Sequence, residues 1–248
     1  MTRLARYLLY PFLRIGARMR ARRFDHVVLV GYNCELAYRF LKSLGFLDAT
    51  LFCWAGTTVL DEFLAICANI DKLMTGELIP PTKELPLFRC AQTGLWAHGR
   101  AHARTWATPQ PPEFVKAEAD EVRSRMLHLK DKTLGYLRDD KSVLVVHKIR
   151  SRYCGPGEAD RTALALRSAM ERLGARNMTF LVVCEESVRR NFPESHPSYE
   201  LRSVAAFSPE NDALNPRLGD KRGWQLVFDE FRPKTILKRK TTGFKFAQ

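Results

Sequence analysis

The stretch that decides the fold is HVVLVGYNCEL, residues 26–36. Its first five residues form a continuous apolar and β-branched run, which is typical of a strand buried on both faces. Gly31 to Asn33 predict a tight turn, and apolar residues at helical spacing follow from Glu35 to a stop at Gly45. A strand, a turn and a helix in this order predict one unit of an α/β sheet.

Later segments repeat the same alternation of buried strand and amphipathic helix. Helical spacing predicts helices over residues 58–73, 114–137, 158–173 and 220–231, and apolar runs predict strands over 142–147, 178–184 and 201–207. The stretch 76–112 is rich in Pro, Gly and Trp and predicts irregular structure, with 80–112 as a candidate loop over the site. The predicted fold class is therefore α/β, with a mostly parallel sheet and helices on both faces.

The net charge of +13 comes from the two ends of the 248-residue chain. Residues 1–23 hold seven arginines and no acid, residues 232–248 hold six basic residues and no acid, and residues 24–231 hold 27 of each sign. This division predicts a basic amphipathic N-terminal helix (1–23), a single α/β catalytic-type domain (24–231) and a basic tail (232–248). A neutral body argues against specific nucleic-acid binding, which needs a basic face on the fold itself.

The arginine-rich start of the chain predicts an amphipathic helix. A helix that begins at Pro11 collects apolar side chains on one face and arginines on the other, namely Phe12, Ile15 and Met19 against Arg14, Arg18 and Arg22. Such a helix suits an anionic membrane surface, so we expect residues 1–23 to attach a cytoplasmic protein to the inner membrane. The alternatives are a helix packed on the body with its arginines in water, and an organelle-targeting presequence.

The six cysteines contain no pair separated by two residues, so the sequence predicts neither a zinc site nor a redox pair. Cys67 and Cys184 lie in apolar runs and predict buried thiols. Cys34 differs because it follows a predicted strand and turn, where ligands bind in α/β sheets and where a helix N-terminus stabilises a thiolate. Asn33 would cap that helix or donate to an oxyanion. The alternative is a capped helix with a small, buried cysteine.

The segment GYNCELAYR (residues 31–39), followed by Gly45 and LFCWA (51–55), resembles a family of bacterial papain-like cysteine peptidases. That family is similar to the acyltransferases of capsular polysaccharide biosynthesis, which share a papain-like cysteine and histidine. The resemblance implies a papain-like cysteine site at the first strand–helix turn, with Cys34 as nucleophile. His98, in LWAHGR (95–100), is the best match to the histidine, and His102 and His147 compete with it.

The resemblance also implies the reaction. A histidine activates Cys34, the thiolate attacks an acyl carbonyl, and Asn33 with backbone N–H groups stabilises the oxyanion. The implied function is O-acetyl transfer to a sugar of a bacterial surface or capsular polysaccharide, with acetyl-CoA as acyl donor and no metal. A papain-like peptidase or thioesterase is one alternative, and a non-catalytic scaffold of polysaccharide assembly or export is another.

Two groups of basic residues are candidates to bind the phosphates of a nucleotide or of coenzyme A. Arg100 and Arg104 flank His102 in the irregular stretch, and Lys148 and Arg150 follow His147 at the end of a predicted strand. The alternative for both groups is a solvated, charged loop.

Two more residues near Cys34 allow two interpretations each. Glu35 would orient a histidine or Arg39, or it would simply suit a first helical turn. Trp54 would line an acceptor pocket or fill the core.

Overall fold

A computed structural model describes residues 3–31, 35–45, 48–53, 55–56, 59–101, 103–149, 155, 157–204 and 221–234. The helices of this part are α1 (Arg3–Met19), α2 (Glu35–Leu44), α3 (Leu60–Ala68), α4 (Pro112–Arg138), α5 (Glu158–Arg172) and α6 (Lys221–Glu230). Its strands are β1 (Arg22–Phe24), β2 (His26–Val30), β3 (Ala55–Gly56), β4 (Leu78–Ile79), β5 (Phe88–Cys90), β6 (Trp96–Ala97), β7 (Val143–Ile149), β8 (Met178–Glu185), β9 (Glu200–Val204) and β10 (Phe231–Pro233).

The main sheet contains four parallel strands in the order β2-β7-β8-β9. Val30 of β2 lies opposite His147 of β7, which in turn lies opposite Val182 of β8. Because all four strands run the same way, their last residues meet at one edge, which we name the carboxyl edge. The predicted α/β class with a mostly parallel sheet and helices on both faces is confirmed.

Apolar side chains from both faces of this sheet are buried, as the continuous apolar strands require. Val28, Val145 and Val182 belong to a core that also contains buried residues of α3, α4 and α5. Leu29, Val146 and Val183 alternate with them and pack with α2 and α6. The helix that follows Gly31 therefore covers one face of the sheet, and the long helix α4 covers the other.

A second, antiparallel sheet has the order β3-β6-β5-β4. Three of its strands lie within 76–112, so the prediction of an irregular segment was wrong there. These strands are only two or three residues long, too short for an alternating pattern to stand out. The buried ring of Phe88 packs edge-to-face on Trp106 with 5.5 Å between ring centres, and both belong to the core under α4.

The two ends of the described chain meet in a pair of parallel strands. β1 pairs with β10, with Arg22 opposite Phe231 and Phe24 opposite Pro233. The domain limits predicted at 23/24 and 231/232 both fall inside this pair.

The predicted helix start at Pro11 was wrong, because α1 begins at Arg3 and contains Pro11. Pro11 is exposed, so the hydrogen bond that a proline cannot make is lost on the solvent side of the helix.

The longer predicted elements agree with the structure to within a few residues. The predicted helix over 58–73 is divided, because α3 ends at Ala68 and a 3-10 turn, Ile70–Lys72, follows. The predicted strand over 142–147 continues to Ile149. In the part of the chain that the structure describes, no helix is both long and apolar enough to cross a membrane.

Candidate active site

The carboxyl edge of the parallel sheet is the region that the sequence singled out. β2 ends at this edge with Val30, Gly31 follows, and α2 begins at Glu35. Cys34 and Asn33, the predicted nucleophile and oxyanion donor, come between Gly31 and Glu35 in the sequence and are outside the described residues. The same holds for His102, Arg150 and Trp54. The site is therefore built from the neighbouring strands.

His147 occupies this edge and contacts the last residue of β2. Its side chain is 1% exposed, and Nδ1 lies 2.7 Å from the carbonyl oxygen of Val30. A carbonyl can only accept a hydrogen bond, so Nδ1 carries the hydrogen, and in the neutral ring Nε2 carries the lone pair. Burial lowers the pKa of His147 to about 4, so the imidazole is neutral at neutral pH. The edge thus presents a fixed, neutral imidazole beside the strand that leads to Cys34.

Lys148 is a buried positive charge on the opposite face of the sheet, because successive strand residues point to opposite sides. It is 5% exposed, and its Nζ lies 4.0 Å from Oε1 of Glu185 at the end of β8. This distance indicates an ionic contact rather than a hydrogen bond. Arg39, also buried, lies on α2 over the same face. Two cationic side chains therefore belong to the face of the sheet that α2 covers.

His98 belongs to the second sheet, immediately after β6. His98 is exposed, and its backbone carbonyl accepts a hydrogen bond from Arg125 of α4. The pKa of its imidazole is lowered, mainly by partial desolvation and secondly by the positive charge of Arg125. β6 pairs with β3, and a 3-10 turn that precedes β3, Leu51–Cys53, contacts β2. His98 is thus connected to β2 through two intermediate elements, whereas His147 bonds to β2 directly.

Arg100 is held against α4. Its guanidinium pairs with Glu121, and its backbone N–H donates to Oε2 of Glu118 at 2.9 Å. An anion bound by Arg100 has to compete with Glu121, which weakens the predicted phosphate-binding role of this residue. Arg104 is exposed and lies in a 3-10 turn, Ala103–Ala107.

Two cysteines of the described chain are core thiols. Cys67 and Cys184 are buried, which confirms the prediction for both. Burial raises the pKa of Cys67 to about 12 and that of Cys184 to about 11, so both remain protonated at neutral pH. Within the described residues no group of three His, Cys, Asp or Glu side chains is arranged to hold a metal ion.

Sequence reasoning did not single out the contact between His147 and Val30. The signal was present, because a histidine near the end of a buried strand reaches the same edge as every parallel neighbour. More than a hundred residues separate β2 from β7, and the sequence pattern alone does not tell which strands are neighbours.

Among known proteins, no family model, no curated protein and no solved structure matches this chain significantly.

Proposed function

We propose that this protein is a cysteine-dependent acyltransferase in which Cys34 is the nucleophile and His147 is the base. The observation that carries the proposal is the hydrogen bond from His147 Nδ1 to the carbonyl of Val30, four residues before Cys34. It fixes the ring at the end of β2 and leaves Nε2 as the proton acceptor. The bond between Arg125 and His98 involves the backbone carbonyl of His98, and among the described residues no hydrogen bond comparable to that of His147 orients the His98 ring.

The proposed reaction has two half-reactions. Nε2 of His147 takes the proton of the Cys34 thiol, and the thiolate attacks the carbonyl carbon of an acyl thioester. The C–S bond to the donor breaks, and the departing thiolate takes the proton from His147. In the second half, His147 removes a proton from a hydroxyl, whose oxygen attacks the acyl-cysteine and expels the Cys34 thiolate, which takes that proton back from His147. Asn33 and backbone N–H groups would stabilise the oxyanion in both halves.

The substrates follow from the resemblance of residues 31–55 to papain-like peptidases and capsular acyltransferases. We propose acetyl-CoA as donor and a sugar hydroxyl of a bacterial surface polysaccharide or its precursor as acceptor. Of the two predicted phosphate ligands that follow His147, Arg150 would bind coenzyme A, because Lys148 is buried beside Glu185. The reaction would take place in the cytoplasm, with the protein bound peripherally to the inner membrane through residues 1–23.

The first half-reaction is testable without knowing the acceptor. Purified protein is incubated with labelled acetyl-CoA, and acetylated peptides are located by mass spectrometry. We expect the label on Cys34 and its loss in Cys34→Ala. His147→Asn keeps an amide N–H that can donate to Val30 but removes the base, so we expect acetylation to slow about 100-fold or more. His98→Asn and the exposed His128→Asn are matched controls with the same change at other histidines.

The outcomes separate the proposal from its competitors. Acetyl-Cys34 that passes its label to added sugars supports the transferase, whereas quantitative release as acetate indicates a thioesterase. If His98→Asn abolishes acetylation and His147→Asn does not, the assignment of the base is wrong. If Cys34 reacts with neither acetyl-CoA nor an electrophilic thiol probe in the folded protein, the enzymatic proposal fails and the scaffold alternative is favoured.

A further inference from the structure

The first helix presents an apolar surface to solvent. Nine large apolar side chains are exposed in the described part of the chain, and six of them lie on α1: Leu8, Leu9, Phe12, Leu13, Ile15 and Met19. Phe12 is 71% exposed and Met19 is 82% exposed. Leu8, Phe12, Ile15 and Met19 recur at helical spacing and form one stripe, which we name the α1 stripe. A stripe of this kind on a surface helix usually faces the core. Its exposure therefore indicates a surface that binds another molecule.

The orientation of α1 is fixed by contacts on its other side. Arg14 Nε lies 2.5 Å from Oδ2 of Asp229, and Arg18 Nε lies 3.4 Å from the same oxygen. Asp229 is a fully buried carboxylate on α6, and Ala17 of α1 is buried as well. Arg14 and Arg18, which the alternative of a packed helix placed in water, therefore contact the body. Ala17 lies on the opposite side of the helix from the α1 stripe and is buried against the body, so the stripe points outward.

A further contact gives the direction of the helix. Near the start of α6, the guanidinium of Arg222 lies 5.1 Å from the ring centre of Tyr10, whereas Asp229 lies near its end. The two helices therefore run side by side in the same direction. α1 is thus held from Tyr10 to Arg18, and this part does not need to refold to present the stripe.

The charge around the stripe defines the chemistry of the occupant. Residues 1–24 contain no acid, and arginines border the stripe. Arg18, Arg20 and Arg22 contact acids of the body but keep about half or more of their side chains exposed, and Arg23 is exposed too. A second copy of this helix would bring apolar residues to the stripe, but it would also bring more arginines and no acid. An apolar layer under anionic groups satisfies both features.

We propose that α1 binds an anionic lipid bilayer as a preoriented interfacial helix, with the α1 stripe inserted among the acyl chains and the flanking arginines at the headgroups. The proposal is independent of the chemistry at Cys34. It differs from attachment by charge alone, because most of the binding energy comes from the apolar side chains.

The test is co-sedimentation of the full chain with vesicles of phosphatidylcholine and phosphatidylglycerol, and with vesicles of phosphatidylcholine alone. We expect binding to the mixed vesicles, weakened by high salt, and a drop of the partition coefficient on the order of 100-fold in Phe12→Ser/Met19→Ser. Ile79→Ser/Leu85→Ser is the matched control, since it removes two exposed apolar residues elsewhere. We expect this control to bind like the wild type. Thermal unfolding should be unchanged in both, because all four side chains are exposed.

Three results would overturn the proposal. The first is a wild-type chain that binds neither vesicle. The second is a stripe variant that binds as tightly as the wild type, which would mean attachment by charge alone. The third is a wild-type dimer in vesicle-free solution that the stripe variant converts to a monomer, which would make a second copy the occupant. Acetylation of Cys34 is measured without vesicles, so its failure leaves the membrane result intact, and the reverse also holds.

Discussion

The buried imidazole of His147 links the candidate site to the stability of the fold. Burial lowers its pKa from an ordinary 6.5 to about 4. Between these values the unfolded chain binds a proton that the native chain does not, so stability falls as pH decreases through this window. Between about pH 7 and about pH 5 the wild type should lose about 2 kcal/mol relative to His147→Asn. Urea unfolding of both proteins at the two pH values measures this difference.

The lowered pKa of His98 acts in the same direction, but the wild type and His147→Asn share it, so it cancels in the comparison. Hydrogen bonds, from Lys234 to Asp25 and from His26 to Asp139, lower the pKa of both carboxyls to about 2. The stability that these carboxylates contribute is present above their unfolded pKa and is lost only below about pH 4. His128→Asn, the same change at an exposed position, is the matched control. Parallel curves for wild type and His147→Asn would show that the ring titrates normally and is not held neutral.

At the scale of single elements, the contact between α1 and α6 depends on one buried carboxylate. Removing both cations in Arg14→Met/Arg18→Met leaves Asp229 buried and without these partners, which should lower the free energy of unfolding by about 3 kcal/mol. Asp229→Asn should destabilise less, because an amide is cheaper to bury than an unpaired charge. Adding Asp229→Asn to the arginine variant should therefore recover part of the loss.

Chemical denaturation of the four proteins in this double-mutant cycle gives the coupling energy directly. Arg23→Met is the control, as an exposed arginine of the same segment. Strict additivity of the arginine and aspartate changes would mean that the ion pair contributes nothing to the docking of α1.

The elements themselves were predictable in proportion to their length. α5 and β8 agree with their predicted ranges within a residue, because a helical period of 3.6 and an unbroken apolar run are both clear over many residues. The antiparallel sheet was not predictable, since β4 and β6 contain two residues each. The start of α1 was missed because Pro11 usually marks a first turn, whereas here it interrupts a helix whose apolar spacing continues across it.

At the scale of the whole molecule, strand neighbours decide what the site contains, and they are a tertiary property. The motif around Cys34 is recognisable from the amino-acid sequence alone, because its residues are adjacent in the chain. The sequence alone could not favour one of His98, His102 and His147, because our proposal of His147 rests on β7 lying beside β2 after an intervening sheet and three helices. Likewise, the sequence pattern indicated that α1 is amphipathic, but not which face α6 would cover.

The same long-range contacts predict that α1 is part of the fold and not a detachable anchor. Deleting residues 1–21 keeps β1 but removes Arg14 and Arg18 from the buried Asp229 and uncovers α6. We expect the deletion to lower the free energy of unfolding by about 3–5 kcal/mol, and Asp229→Asn to restore part of it. Denaturant unfolding measures both effects, with Phe12→Ser/Met19→Ser as the variant that should lose membrane binding at unchanged stability. If the deletion leaves stability unchanged, α1 is an appendage, as the charge distribution suggested. A destabilised deletion together with a stable stripe variant would mean that one helix has two separate roles: its arginine face holds the fold together, while its apolar face is free to bind lipid.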